Sequence, residues 1–89
     1  MKVIKKSGRI EDFDEKKLGT SILNAALDAK TNLTQGDINN ITKEIYTEIK
    51  KIRNEKTSSY ELFALTITIL KNQGFKNLAK EYASYSINS

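Results

Sequence analysis

Five isoleucines, Ile38, Ile41, Ile45, Ile49 and Ile52, recur three or four residues apart. Only an α-helix brings such positions onto one side, because its period is 3.6 residues. Isoleucine is a middling helix former, so the spacing makes the assignment rather than the propensity. Lys43, Glu44, Lys50, Lys51 and Arg53 fall mostly on the other faces. The stripe reads as core or as a helix–helix contact, and other helices must cover it. Thr34 caps this helix, and Asp37, three residues on, completes a near capping box.

Further helices follow from the same reading. Asp14 is a good N-cap, although Lys17 stands where a capping box would have Glu or Gln. Leu18, Ile22, Ala25, Ala26 and Ala29 then recur at helical spacing until Thr31-Asn32-Leu33 breaks the pattern. Asn54-Glu55-Lys56-Thr57 reads as a link. Ser58 or Ser59 starts another helix, with Glu61 in its first turn. Its Leu62, Phe63, Leu65, Ile67, Ile69 and Leu70 spread round most of the circumference, which marks a buried helix. Gly74 suits the left-handed position that ends it. Leu78, Ala79, Tyr82, Ala83 and Tyr85 carry the last helix.

Ahead of these lies Lys2-Val3-Ile4-Lys5-Lys6, then Ser7-Gly8, then Arg9-Ile10-Glu11-Asp12-Phe13. A two-residue turn ending in Gly predicts a β-hairpin over 2–13. That register pairs Lys6 with Arg9, Lys5 with Ile10, Ile4 with Glu11 and Val3 with Asp12. A lone two-stranded ribbon is marginal in water, so it must lie on the helices. The expected fold is therefore an α-rich α+β domain spanning 1–89. Its β-hairpin lid lies on a four-helix bundle, with helices at about 15–30, 35–53, 59–73 and 76–87.

Composition narrows the chemistry. Among 89 residues there is no Cys and no His. Thiol and Ser–His catalysis, zinc ribbons and disulfide scaffolds are excluded. No apolar run is long enough for a membrane span, and Met1-Lys2-Val3-Ile4-Lys5-Lys6 is not a signal peptide. A cytoplasmic location is the default expectation. The formal charge is +4 from 15 basic and 11 acidic residues. Lys2, Lys5, Lys6 and Arg9 hold the whole excess, with no acid among the first nine residues. A localised positive spot favours a compact anion over a long polyanion track.

Lys5-Lys6-Ser7-Gly8-Arg9, with Glu11, Asp14 and Lys17 nearby, supplies ammonium groups for phosphates and a carboxylate for an exocyclic amine. Those are the parts a purine nucleotide requires. The plainer reading is that short exposed strands carry lysine to block edge pairing. Tyr46, Tyr82 and Tyr85 could form a base-stacking set, but Tyr82 and Tyr85 sit on a helical period and read as packing. Lys50-Lys51-x-Arg53, balanced by Glu44, Glu48 and Glu55, reads as a solvated helix end.

The run Val3-Ile4-Lys5-Lys6-Ser7-Gly8-Arg9-Ile10-Glu11-Asp12-Phe13-Asp14-x-x-Lys17-Leu18 resembles the opening of the ATP-cone domain. Thr57-Ser58-Ser59-Tyr60-Glu61-Leu62 resembles the start of that family's third helix. Gly74-Phe75 and Leu78-Ala79-x-x-Tyr82-x-x-Tyr85 resemble its later landmarks. The likeness runs through essentially the whole chain, in order and at family spacing.

The resemblance implies a non-catalytic regulatory domain that binds ATP or dATP beneath its hairpin. Such domains occur in ribonucleotide reductase large subunits and in the reductase-gene repressor, where the nucleotide changes oligomeric state. It implies that Lys5 and Lys6 contact phosphates, and that Lys17 lies close to the adenine-side residues Glu11 and Asp14. Glu11 and Asp14 would address the adenine, Val3 and Leu18 would sandwich it, and Ser59 and Leu62 would complete the pocket. A Mg²⁺ would come with the nucleotide, with Asp12 and Asp14 as candidates to touch it. The implied partners are a second copy or a reductase-type protein, with neither membrane nor direct nucleic-acid binding expected. Lys6 stands where Arg is commoner, so a two-bond phosphate grip becomes a point charge. Ser7 replaces the usual Asp or Asn, and Phe63 stands where some reductase members have His. Two other readings remain: a degenerate module serving as a protein–protein adaptor without nucleotide, and a small DNA-binding domain.

Overall fold

A computed structural model describes residues 1–85. Its elements are β1 (Lys2–Ile4), β2 (Ile10–Asp12), α1 (Glu15–Asp28), α2 (Gln35–Ile52), β3 (Lys56–Ser58), α3 (Ser59–Asn72) and α4 (Lys76–Ala83). The helices pack in a ring in which α1 touches α2 and α4, and α3 touches α2 and α4. The expected class, an α-rich bundle with an N-terminal β-lid, is what the chain adopts.

The isoleucine stripe of α2 lies at the centre. Ile41, Ile45 and Ile49 are wholly buried and Ile38 nearly so. Ile52 departs from the stripe and is 56% exposed, because α2 ends there and the chain turns away through Arg53. Ile22, Ala25 and Ala26 of α1, Ile69 and Leu70 of α3, and Leu78, Ala79 and Tyr82 of α4 close the core around the stripe.

Side chains and turns set the helix ends. Asp14 Oδ1 accepts from the backbone N–H groups of Lys16 and Lys17 at 2.9 and 3.2 Å. Thr34 and Asp37 form a full reciprocal capping box, and Ser58 caps α3 by accepting from Glu61 N–H. At the far end of α3, Phe75 N–H reaches Leu70 C=O and Gly74 N–H reaches Lys71 C=O. That double bond pattern requires a left-handed residue, and Gly74 supplies it at φ +89°.

Two helices stop two or more residues earlier than the periodicity predicts. The end of α1 uses the same double bond, from Thr31 N–H to Ala26 C=O and from Lys30 N–H to Leu27 C=O. The left-handed residue there is Lys30, at φ 54°, and it ends the helix at Asp28 rather than residue 30. The last helix ends at Ala83, not at 87. Ser84 Oγ donates to Glu81 C=O at 2.6 Å, and the final N–H groups close tighter turns onto Glu81 and Tyr82. Residues 86 and 87 of the expected helix lie outside the described residues.

The sheet corrects the sequence reading twice. First, the hairpin pairs Lys2 with Asp12, Val3 with Glu11 and Ile4 with Ile10, one residue away from the expected register. Lys5 and Arg9 flank the turn, with Lys5 N–H bonded to Arg9 C=O and Gly8 N–H to Lys5 C=O. Gly8, at φ +90°, takes the left-handed place of a three-residue loop, which absorbs one residue more than a two-residue turn. Second, Lys56–Ser58 is no mere link. It pairs in parallel with β1, giving the order β2-β1-β3. Val3, Glu11 and Thr57 therefore share the face turned to the helices, while Lys2, Asp12 and Lys56 share the other.

A non-glycine residue in the left-handed region costs about 1–2 kcal/mol, part of which glycine returns to the unfolded chain as entropy. Lys30→Gly is expected to raise stability by roughly 0.5–1 kcal/mol, read as a higher urea midpoint at unchanged slope.

Candidate functional site

One cavity of about 220 Å³ opens between the inner face of the sheet and the first turns of α1 and α3. From the hairpin come Val3, Lys5, Glu11 and Asp12. The observed register sets Glu11 beside Val3 on the face turned to the helices, where the two-residue turn would have set Asp12; both border the cavity. Asp14, Lys17 and Leu18 come from the cap and first turn of α1, and Ser59 and Leu62 from the first turn of α3. Eight of the nine residues singled out in the sequence thus line one space. Lys6 is the ninth, and it sits exposed on the hairpin turn outside that lining.

The helix starts matter electrostatically. Each presents backbone N–H groups that its own turn cannot satisfy, and a partial positive charge. Asp14 satisfies two of these groups through Oδ1 alone, so its second carboxylate oxygen has no partner among the described residues. Ser58 serves Glu61 N–H.

Charges at the mouth are mixed. Glu11, 27% exposed in its side chain, pairs with Arg9 at 2.5 Å and lies 3.9 Å from Lys17 Nζ. Asp12, on the outer face, is bonded to Lys2 at 2.6 Å, and this bond holds its carboxyl below the usual range. Lys5 is half-buried. Among the described residues no group of three or more Asp or Glu is placed to hold a metal ion.

Ser59 is the odd member. It is 9% exposed, and its Oγ is buried without a hydrogen-bond partner among the described residues. A buried hydroxyl left unpaired costs free energy that a bond would recover. Here that hydroxyl borders the cavity, in the first turn of α3. The arrangement suits a ligand that brings acceptor oxygens.

The inner end was missed as a site in the sequence. Phe63, Thr66, Tyr82 and Tyr85 line it, with Ser21 from α1 and Phe13 from the link between β2 and α1. Tyr82 and Tyr85 do pack, with ring centroids 5.9 Å apart, and Tyr82 also meets Phe63 at 5.5 Å. They are wall as well as core. The signal was Ser21 and Thr66, two polar residues on otherwise apolar helix faces. Tyr46 is elsewhere, stacked on Phe13 at 5.1 Å with Lys50 over its ring.

Tyr82 shares a 3.1 Å hydrogen bond with Ser21, while burial raises its phenol pKa. Tyr85 donates to Asp28 Oδ2 at 2.5 Å. This bond to a carboxylate, helped by desolvation, pushes the Tyr85 hydroxyl up to about 12. Both tyrosines tie the end of α4 to α1, across the inner end of the cavity.

Residues 1–88 match the family model for the ATP cone domain. The chain belongs to the ATP cone domain family. Domains of this family are regulatory, nucleotide-binding and non-catalytic. Comparison with curated proteins finds no match. No helix among the described residues is long and apolar enough to cross a membrane. The ATP cone assignment fits a site of mixed charge built at two helix starts beneath a sheet.

Two outcomes follow. Ser59→Ala removes a buried unpaired hydroxyl and should raise the stability of the nucleotide-free protein by about 1 kcal/mol, read by urea unfolding. Tyr85 has its pKa raised on folding, so its contribution is complete below pH 10 and is lost as pH climbs towards about 12. The stability gap between the parent protein and Tyr85→Phe should be flat through neutral pH and close over that alkaline window, as followed by thermal melting.

Proposed function

We propose that this ATP cone binds ATP or dATP in the cavity beneath its sheet and uses the nucleotide to switch its contacts with a second copy or a partner protein. The setting we propose is control of ribonucleotide reduction in the cytoplasm. The observation that carries the binding reading is the convergence of Val3, Lys5, Glu11, Asp14, Lys17, Leu18, Ser59 and Leu62 on one space.

The roles follow from chemistry. Val3, Leu18 and Leu62 give apolar surfaces for the faces of a purine. Glu11, a pure acceptor, suits the 6-amino group of adenine and opposes the 6-oxo group of guanine. The free oxygen of Asp14 is a second acceptor. Lys5 and Lys17 serve phosphates as mobile point charges, and the Ser59 hydroxyl with the N–H groups of α3 serves an oxygen of the sugar or phosphate. At about 220 Å³ the cavity is smaller than the roughly 300–1,000 Å³ that enclose a drug-sized ligand. The base and sugar fill it, and the polyphosphate runs out over the mouth. There Lys6, on the turn, comes into reach, and any Mg²⁺ stays on the phosphates.

Micromolar binding requires about −8 kcal/mol. Exposed lysine–phosphate contacts at roughly 1 kcal/mol each fall short of that, so burial of the base supplies much of the remainder. Regulation demands more than tight binding. The nucleotide must favour one of two states of the domain, because equal affinity shifts nothing. A ligand here touches the sheet, α1, α3 and the Tyr82–Tyr85 wall at once, so its fit depends on how those elements sit together.

Calorimetry with ATP, dATP and GTP should give micromolar binding for the adenine nucleotides and much weaker binding for GTP. Lys5→Ala should weaken ATP about tenfold while leaving the helical circular dichroism intact. Saturating nucleotide, at about a hundred times the Kd, should stabilise the fold by about 2.7 kcal/mol. No heat with either adenine nucleotide would overturn the reading in favour of a ligand-free adaptor. Molecular mass in solution with ATP, with dATP and with neither tests the switch.

A further inference from the structure

A second groove, of about 540 Å³, runs along the outward side of the α3/α4 pair and shares no lining residue with the first cavity. Ile67 of α3 and Ala79 and Ala83 of α4 make its floor, and Lys71, Lys76 and Lys80 make its rim. None of these lysines has an ion-pair partner among the described residues, and no acidic residue lines the groove.

The helix pattern points the same way. Tyr60, Ala64, Ile67 and Lys71 follow at steps of four, three and four, so they share one face of α3. Tyr60 is 53% exposed, and Ala64 is exposed as well. The apolar residues of α3 spread round most of its circumference, as in a helix covered on every side. Among the described residues, the ring of four helices leaves this side open. An exposed apolar strip with a charged rim marks an interaction surface.

We propose that this groove docks an acidic amphipathic helix of a partner protein. Small floor residues let a helix approach closely, and lysine stems extend the apolar walls while their ammonium groups meet carboxylates at the rim. A second copy of the chain is the wrong occupant. Two such grooves face to face would set three lysines against three. Pairing with another face of the chain fails as well. Among the described residues, the other exposed large apolar side chains are Ile4 and Ile10, on the sheet face shared with Lys2, Lys56 and the Lys2-bound Asp12; Ile52, between Lys51 and Arg53; and Leu23 and Leu27, which have only Asp28 beside them, next to Lys30. Nucleic acid is a poorer match, because the floor is aliphatic and the lining holds no arginine.

The test is a titration of the isotope-labelled chain, followed by amide chemical shifts. One probe is a synthetic helical peptide with leucines at helical spacing and glutamates elsewhere. The other has lysine for every glutamate. The glutamate peptide alone should shift amides of α3 and α4 on the outward side, more weakly at high salt. The triple variant Lys71→Glu, Lys76→Glu, Lys80→Glu should bind it about tenfold less. Ala83→Glu, a single exposed change, should weaken it too and guards against misfolding of the triple variant. ATP binding, measured alongside, should be the same in both variants. Equal binding of the lysine peptide, shifts confined to other faces, or indifference to both variants would overturn the proposal. So would preference for a short DNA or RNA strand at the same lysines, or self-association through this face.

Discussion

The parallel pairing of β1 with β3 is the interaction on which the rest of the molecule depends. A two-stranded hairpin has too little buried surface to persist by itself. Here β1 is hydrogen-bonded on both sides, and β3 runs straight into α3. One short strand thus connects the lid to the bundle through the helix whose first turn borders the cavity. Lys2 N–H adds a bond to Glu55 C=O, and Phe13 N–H closes on Met1 C=O. Just below, Arg53 grips both carboxylate oxygens of Glu61, which also accepts from Thr57 Oγ1. These bonds pull the Glu61 carboxyl below its ordinary range. The end of α2, β3 and the start of α3 are therefore held as one corner.

That corner explains why the cavity exists at all. Helix starts need partners for their N–H groups, and a sheet needs one face covered. Setting the two against each other would normally close the space with side chains. Instead the lining mixes Val3, Leu18 and Leu62 with charged groups, and it leaves the Ser59 hydroxyl unpaired among the described residues. A fold that keeps an unsatisfied buried group beside an open space sacrifices stability at that point. The sacrifice makes physical sense where a ligand completes the bonding. The inner tyrosines complete the arrangement by linking the cavity to α1 and to the end of α4.

Much of the architecture was legible in the residues. Ile38, Ile41, Ile45 and Ile49 could only face one way, and Asp14, Thr34 and Gly74 marked helix ends by side-chain or backbone chemistry that acts over a few positions. The sheet was less legible. Strands of three residues are too short to show a period, so Lys56-Thr57-Ser58 read as a link. The hairpin register turned on whether Gly8 ended a two-residue or a three-residue loop, which the dipeptide Ser7-Gly8 does not decide. Lys6 and Lys5 are alike in sequence, and only the turn separates the exposed one from the cavity-lining one. Tyr82 and Tyr85 read as packing because a helical period cannot show that one side of a packed ring borders a space.

Local chemistry was enough for the helices, their caps and the family membership, because periods, caps and motif spacings act between residues close in the chain or at set distances along it. The third strand, the choice of Glu11 over Asp12 beside Val3, the orphaned Ser59 hydroxyl and the open flank of α3 belong to the folded chain alone. Each depends on contacts between segments tens of residues apart, and pairing across such distances is selected by the global packing, to which no local pattern responds.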